Sequence, residues 1–552
     1  MWTPAPAPLP RPAVCGAEQP VRGRPGGRRL RPYLLMALAL AALLLPPRSL
    51  PAQERTAFIV NTAQDLADAV PDDGHCSTSR DPSEGLCSLR AAIMEAGANP
   101  EGSFEVVLAG GEEYALTINL ADAGEDDDLG YVGDLDVVGD VLVRTEGSGP
   151  AVVRRGLPDP CQPDGVAAPH EFRVFHVGPG AIAAALELRN VWVRDGCAEG
   201  DGGGILAGSN ASLSIVGGTV SDNRALGSGG GIRFAGSCPG CALTVQDTTV
   251  RGNAARLGGG IAADDKAVVL DSAVLDNEAS SGGGGLLLAG SARLEGVVVQ
   301  ANRQVGADDP LGGGGLLCGG LVDAPCLQLS IVGGSFGGHG QGNSATGPGG
   351  GLRVMGGSLS MSGTVVAGNG SGQQGGGLAL RDVGATLHDS YWSGNVAATQ
   401  GGAIYAEGGQ LHMARSTVVG SRAGTGGGLY LGGAARGTLV NSTLSGNEAE
   451  GQGGGMGLGA RASLDLFFST VTANRGTPGG GLRLDEPADA GVLRRLKATI
   501  VAANETTSGD GGSDCSGAFV SLGYNLLGDA GGCTFEPQTG DTVGQDPLLA
   551  GL

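Results

Sequence analysis

The sequence predicts an all-β chain wound into a parallel β-helix of about 11 or more coils, with a short helix at its N-terminal side. Three observations carry that prediction. A Gly-rich tripeptide followed by an aliphatic residue recurs eleven times between residues 205 and 482. Inside each unit the polar and apolar residues alternate with a period of two, as in strands, and no long helical stripe occurs. Glycine makes up 107 of 552 residues while aromatics are 4%, so a wide core built on large rings is excluded. Glycine does not fall at every third position, which excludes collagen. The hydrophobic content of 41% is too high for a disordered acidic tail.

Residues 1–53 read as a signal peptide and leader. Six Arg stand before residue 32, and Leu34 to Leu45 is an unbroken apolar run of 12. A bilayer span needs about 20 such residues. The basic flank, the short apolar run and the Leu50-Pro51-Ala52 segment fit a secretory signal. Export to the cell surface, the outer membrane or the medium is therefore expected. The whole chain carries a net charge of −22, and removing the leader, with seven Arg and one Glu, leaves −28. Such a surface is soluble and a poor match for nucleic acid.

Residues 54–110 form the N-terminal segment. Phe58 to Asn61 reads as a strand. Ser88 suits a helix N-cap, and Leu89, Ile93 and Ala96 share one helical face. This short amphipathic helix is expected to cover the open edge of the first coil, which would otherwise template aggregation.

Residues 111–497 hold the repeats. The aliphatic positions after the glycines are Ile205, Ile232, Ile261, Leu286, Leu316, Leu352, Leu378, Ile404, Leu429, Met456 and Leu482, a mean step of 27.7 residues. An Asn stands eight or nine residues ahead of most of these motifs: Asn223, Asn253, Asn277, Asn343, Asn369, Asn395, Asn447 and Asn474. Asn302 stands farther ahead, and Ser421 holds the equivalent place before Leu429. Three short strands per unit cannot bury their faces alone but can when stacked on copies of themselves. Coils then lie ~4.8 Å apart. Glycine accepts the left-handed dihedrals of sharp corners. Asn is expected at such corners too, forming a structural ladder of amides along the stack.

The mature chain has ten Cys in sequence-adjacent pairs: Cys76/Cys87, Cys161/Cys197, Cys238/Cys241, Cys318/Cys326 and Cys515/Cys533. Disulfides in an oxidising compartment are expected. Cys238 and Cys241 lack a second Cys-x-x-Cys or a nearby His, so a tight-turn disulfide is preferred there over a zinc or redox motif.

The run Cys87-Ser88-Leu89-Arg90-Ala91-Ala92-Ile93-Met94-Glu95-Ala96 resembles the CSLREA domain of exported bacterial β-helix proteins, with Ala91 in place of the motif's Glu. The repeats resemble those of polymorphic outer membrane proteins. Residues 498–552, with DCSG, SLGYNLLGD and DTVGQDPLLAGL, resemble the choice-of-anchor Q domain. The resemblance implies a right-handed, pectin-lyase-like solenoid, secreted or at the cell surface, with no assigned chemistry. Any membrane attachment would come through an anchor outside the sequence at hand.

Candidate chemistry is sparse. Asp264-Asp265, His339 within Gly-His-Gly and Arg495-Leu496-Lys497 resemble in type the acid pair, GHG and basic motifs of polygalacturonases. Counting coils at ~4.8 Å puts His339 about 14 Å from Asp265 and Lys497 about 29 Å farther on. Paired glycosidase carboxylates need ~5–10 Å, so no catalytic residue is assigned. The acidic stretch Asp126, Asp127, Asp128, followed by Asp134 and Asp136, is the candidate metal site, since a hard ion such as calcium takes 6–8 oxygens. Arg144, Arg154 and Arg155 follow it, which leaves a calcium-dependent polysaccharide lyase as the alternative function. The six His are scattered, with no Ser/His/Asp constellation. The principal expectation is a non-enzymatic rod for adhesion, contacting extracellular polysaccharide or a surface or matrix protein.

Overall fold

The computed structural model describes residues 55–83, 85–118, 130–157, 161, 171–180, 183–308, 310–320, 325–506 and 512–549. The leader and Asp126, Asp127 and Asp128 lie outside them. The described residues form four parallel sheets of 15, 16, 16 and 10 strands. One rung shows the plan: Leu378–Arg381 in the first sheet, Gly384–His388 in the second, Tyr391–Ser393 in the third and Val396–Ala397 in the fourth. Each strand pairs only with its counterparts one rung before and one rung after, the arrangement of a β-solenoid.

The eleven aliphatic residues of the sequence motif pair rung to rung, from Ile205↔Ile232 to Met456↔Leu482. All eleven are fully buried. They form one column of a core that continues along the described rungs, joined by inward residues of the second and third sheets such as Leu387, Met413, Leu439, Trp392 and Val418. The first sheet has fifteen strands, two before and two after those of the motif. The fourth sheet is absent from the sequence reading, which expects three strands per unit. Its strands are mostly two residues long, directly after the Asn, and so carry no periodicity to read.

The three glycines of each motif differ in their reasons. Gly349 has φ +74°, left-handed, whereas a Cβ on Gly350 would lie 2.3 Å from Gly370 O, and one on Gly351 would lie 2.6 Å from Gly377 O and 3.1 Å from Asn369 Cγ. The first glycine turns the corner; the other two let rungs approach.

The Asn column corrects an expectation. None of these Asn is left-handed; at all but Asn343 the residue before it takes that conformation, as with Asp222, Asp276, Ala301, Ala473, Gly368 and Gly394. The Asn is thereby free to aim its amide along the stack. Ala473 has φ +55° where four other rungs use Gly252, Gly368, Gly394 and Gly446. A left-handed L-residue costs roughly 1–2 kcal/mol. Ala473→Gly is expected to raise stability by about 1 kcal/mol, less the entropy glycine adds to the unfolded chain; unchanged or lower stability in chemical denaturation would contradict this.

At the N-terminal side a helix spans Leu89–Ala98. Ser88 is its N-cap, with Oγ accepting from Ala91 N at 3.0 Å. The helix packs against the strands Ser103–Ala109, Leu135–Val137 and Gly139–Glu146. Disulfides join Cys76–Cys87, Cys161–Cys197, Cys238–Cys241, Cys318–Cys326 and Cys515–Cys533. Five such bonds indicate an oxidising, extracellular setting. Thiol titration of the unfolded chain from residue 54 onward is expected to find no free thiol, and any reactive Cys would contradict the pairing. Among the described residues no helix is long and apolar enough to cross a membrane.

Candidate ligand groove and acidic cluster

Outward positions of the second sheet stack in columns. One column runs His412, Thr438, Asp465, Arg495; its neighbour runs Gln410, Arg436, Ser463. These residues line a groove of about 650 Å³, walled on one side by Gly491 and Leu493 of the insert between Leu484 and Arg494. The insert is held by Arg494, which turns inward and donates to Gly459 O at 3.0 Å, Ala462 O at 3.4 Å and Asp485 O. Leu493 N donates to Ser463 Oγ at 3.3 Å.

Asp465 and Arg495 form a bidentate pair, with both N···O distances 2.6 Å. The carboxylate holds the Arg495 guanidinium above its ordinary range. Gln410, His412, Arg436 and Thr438 make no side-chain hydrogen bond or ion pair among the described residues. The groove therefore presents uncommitted donors and acceptors beside one neutralised charge pair. His412 packs edge-on against His388, ring centroids 5.6 Å apart. The two are 24 residues apart in the chain, just under one rung, so aligning units on the glycine motif brings them to one face.

Of the sequence-predicted metal residues, Asp134 and Asp136 come together with His176, which that reading did not include. One ligand atom from each lies within 4.8 Å of the others. Asp136 and His176 are rung neighbours in the first sheet. Asp134 and Asp136 are buried. Arg173 Nη1 stands 2.8 Å from Asp134 Oδ2, which gives that carboxylate a counter-charge, and His176 Nδ1 stands 3.2 Å from Asp136 Oδ1. Burial, opposed by Arg173 and aided by Asp136, pushes the Asp134 carboxyl up to about 6. Its pKa is higher folded than unfolded. The folded chain thus binds the proton more tightly, and this group's contribution to stability falls as pH rises from about 4 to about 6. Asp134→Asn is expected to flatten that slope in pH-dependent denaturation; an unchanged slope would contradict the assignment.

The polygalacturonase-like residues are not brought together. Asp264 is bound by both Nη atoms of Arg233, at 2.7 and 2.6 Å. Asp264 and Asp265 lie at the corner between Ile261–Ala263 and Ala267–Leu270, and His339 is exposed between Ser335–Gly337 and Ser344–Ala345, two rungs on rather than three and at a different corner. Arg495 belongs to the groove. The groove carries no sequence signature because its members are single residues spread over four rungs, on strands whose outward positions look mixed one unit at a time.

No family model matches the sequence, and no curated protein matches it. Among solved structures, the A-module of mannuronan C-5 epimerase AlgE6 from Azotobacter vinelandii aligns over 82% of this chain and 96% of that one, at 13% identity and a TM-score of 0.28.

Proposed function

We propose that this chain is an exported, non-enzymatic β-helix rod, secreted or held at the cell surface, that binds an extended ligand along the outer face of its second sheet. One observation carries the reading: Gln410, His412, Arg436 and Thr438 line a single groove with their hydrogen-bonding groups uncommitted. A ligand running parallel to the rod meets a new set of such groups every ~4.8 Å. The CSLREA-like segment, the choice-of-anchor Q-like end, the right-handed solenoid they imply and the signal-like leader all support export. The ligand is an extracellular polysaccharide or a surface or matrix protein.

The test is a glycan and matrix-protein array probed with the wild type and with the double variant His412→Ala, Thr438→Ala. Binding that the double variant loses supports the reading. Absence of binding across the array, or cleavage of the polysaccharides at useful rates, would overturn it. A second reading, calcium at Asp134 and Asp136, is favoured by the clustering of their oxygens with His176. Calorimetry with added calcium tests it, and no heat of binding would remove it.

A further inference from the structure

We propose that the groove selects a glycan carrying isolated carboxylates among neutral units, with Arg436 as the residue that recognises the carboxylate. The inference rests on the groove reading above and adds the ligand's chemistry.

The charge pattern comes first. On the outward positions of the second sheet, strands from Ser103–Ala109 to Gly290–Glu295 carry five acids, Glu105, Asp140, Glu146, Glu187 and Glu295, against three Arg. From Cys326–Val332 to Arg494–Lys497 the balance reverses: Asp465 is the lone acid, beside Arg436, Arg495 and Lys497. The five acids are paired with Arg55, Arg144, Arg189 and Arg293, so the first half offers an anionic chain no free cation, whereas the second offers Arg436.

Of the cations in the groove, Arg495 is neutralised by Asp465. Arg436 is exposed and unpaired among the described residues. A guanidinium without a partner is suited to bidentate pairing with a carboxylate. It stands among Gln410, His412, Thr438 and Ser463, which match hydroxyl groups rather than charges. The insert contributes Gly491 and Leu493 to the lining and no cation. One free cation beside a neutralised pair suits carboxylates set apart by neutral units and gives a dense polyanion few partners. Nucleic acid is disfavoured twice over: its phosphates need several Lys or Arg, and its bases need aromatic platforms. Phe467 is the sole aromatic on these outward positions apart from the two His.

Hyaluronan oligosaccharides, which alternate acidic and neutral units, are titrated into the intact protein, with dextran, polygalacturonate and single-stranded DNA as comparisons. The alternating glycan is expected to bind most tightly. Arg436→Ala should weaken it about tenfold, the effect of losing ~1.4 kcal/mol. Arg436→Lys should restore part of that. Arg251→Ala, an exposed cation on the third sheet, should change nothing. If dextran binds as well, or Arg436→Ala has no effect while His412→Ala weakens binding, the carboxylate inference fails and the groove reading stands. Tighter binding of polygalacturonate or DNA would overturn the choice of sparse charge. Silence with every polymer overturns the carboxylate inference, while the groove reading stands or falls on the matrix-protein array.

Discussion

Asn369→Ala is expected to destabilise the central rungs by about 3–5 kcal/mol, since each buried polar group left unpaired costs ~1–3 kcal/mol. The Asn369 Oδ1 accepts from Asn343 N at 2.9 Å and from Asn343 Nδ2 at 3.0 Å. Its own Nδ2 donates to Phe336 O at 2.9 Å and to Asn395 Oδ1 at 3.0 Å. All of these groups are fully buried, so no water replaces what is lost. Chemical denaturation reads the effect, and a loss below about 1 kcal/mol would show that the ladder contributes little. The protein contains its own control. Ser421 interrupts the ladder, and Asn395 N reaches its Oγ only at 3.4 Å. In that same rung the third glycine of the motif is Ala403. Elsewhere a Cβ at this place would stand about 3 Å from the ladder amide, as at Gly351 with Asn369 Cγ at 3.1 Å. A shorter side chain at 421 thus makes room for the extra methyl at 403. Ser421→Asn alone should destabilise, whereas Ser421→Asn with Ala403→Gly should stabilise by about 1 kcal/mol. Additive effects of the two changes would sink this coupling.

The pair shows where sequence reasoning reaches and where it stops. The glycine motif, its aliphatic residue and the recurrent Asn give the rung length and the inward column, because burial and close approach leave few residue types at those places. The same repetition marks Ser421 as an exception. It does not say that Asn302 is a full member of the ladder, which it is, donating to Asn343 Oδ1 at 3.0 Å from both its backbone N and Nδ2. The insert between residues 302 and 343 hides that step. Nor does it show that the ladder ends in a carboxylate. Asn474 donates to Asn504, and Asn504 N and Nδ2 both donate to Asp514 Oδ1 at 2.8 Å. Apart from the break at Ser421, each amide in the row donates to the next, and the last acceptor is an acid. The groove was hidden for a different reason. Outward positions are free of packing, so each unit carries different residues there, and only the register fixes which of them meet.

Arg90→Ala is expected to remove about 3–5 kcal/mol from the N-terminal rungs, the usual cost of breaking a buried ion pair from one side. The side chain of Arg90 is fully buried, and that of Asp65 is 1% exposed. Arg90 Nε donates to Asp65 Oδ1 at 2.7 Å and Nη2 to Oδ2 at 3.2 Å. Its remaining donors go to Gly130 O at 2.8 Å, Gly133 O at 2.8 Å and Asp134 O at 3.2 Å. One guanidinium thus ties the helix to the chain that enters the first sheet at Leu135–Val137. Asp65 Oδ2 also accepts from Thr117 N at 2.6 Å and Ile118 N at 2.9 Å, so removing Arg90 leaves a buried carboxylate holding two amides without its cation. Arg90→Lys keeps the charge but not the fork and should recover less than half of the loss. Because each rung of a solenoid contacts only its neighbours, the damage should stay local. Hydrogen exchange is the discriminating measurement. Amides of Ser103–Ala109 and Leu135–Val137 should lose protection while those of Leu378–Arg381 keep it. Equal loss in both places would mean that the rod unfolds as one unit, and no loss in either would mean that the helix is not what closes this end of the stack.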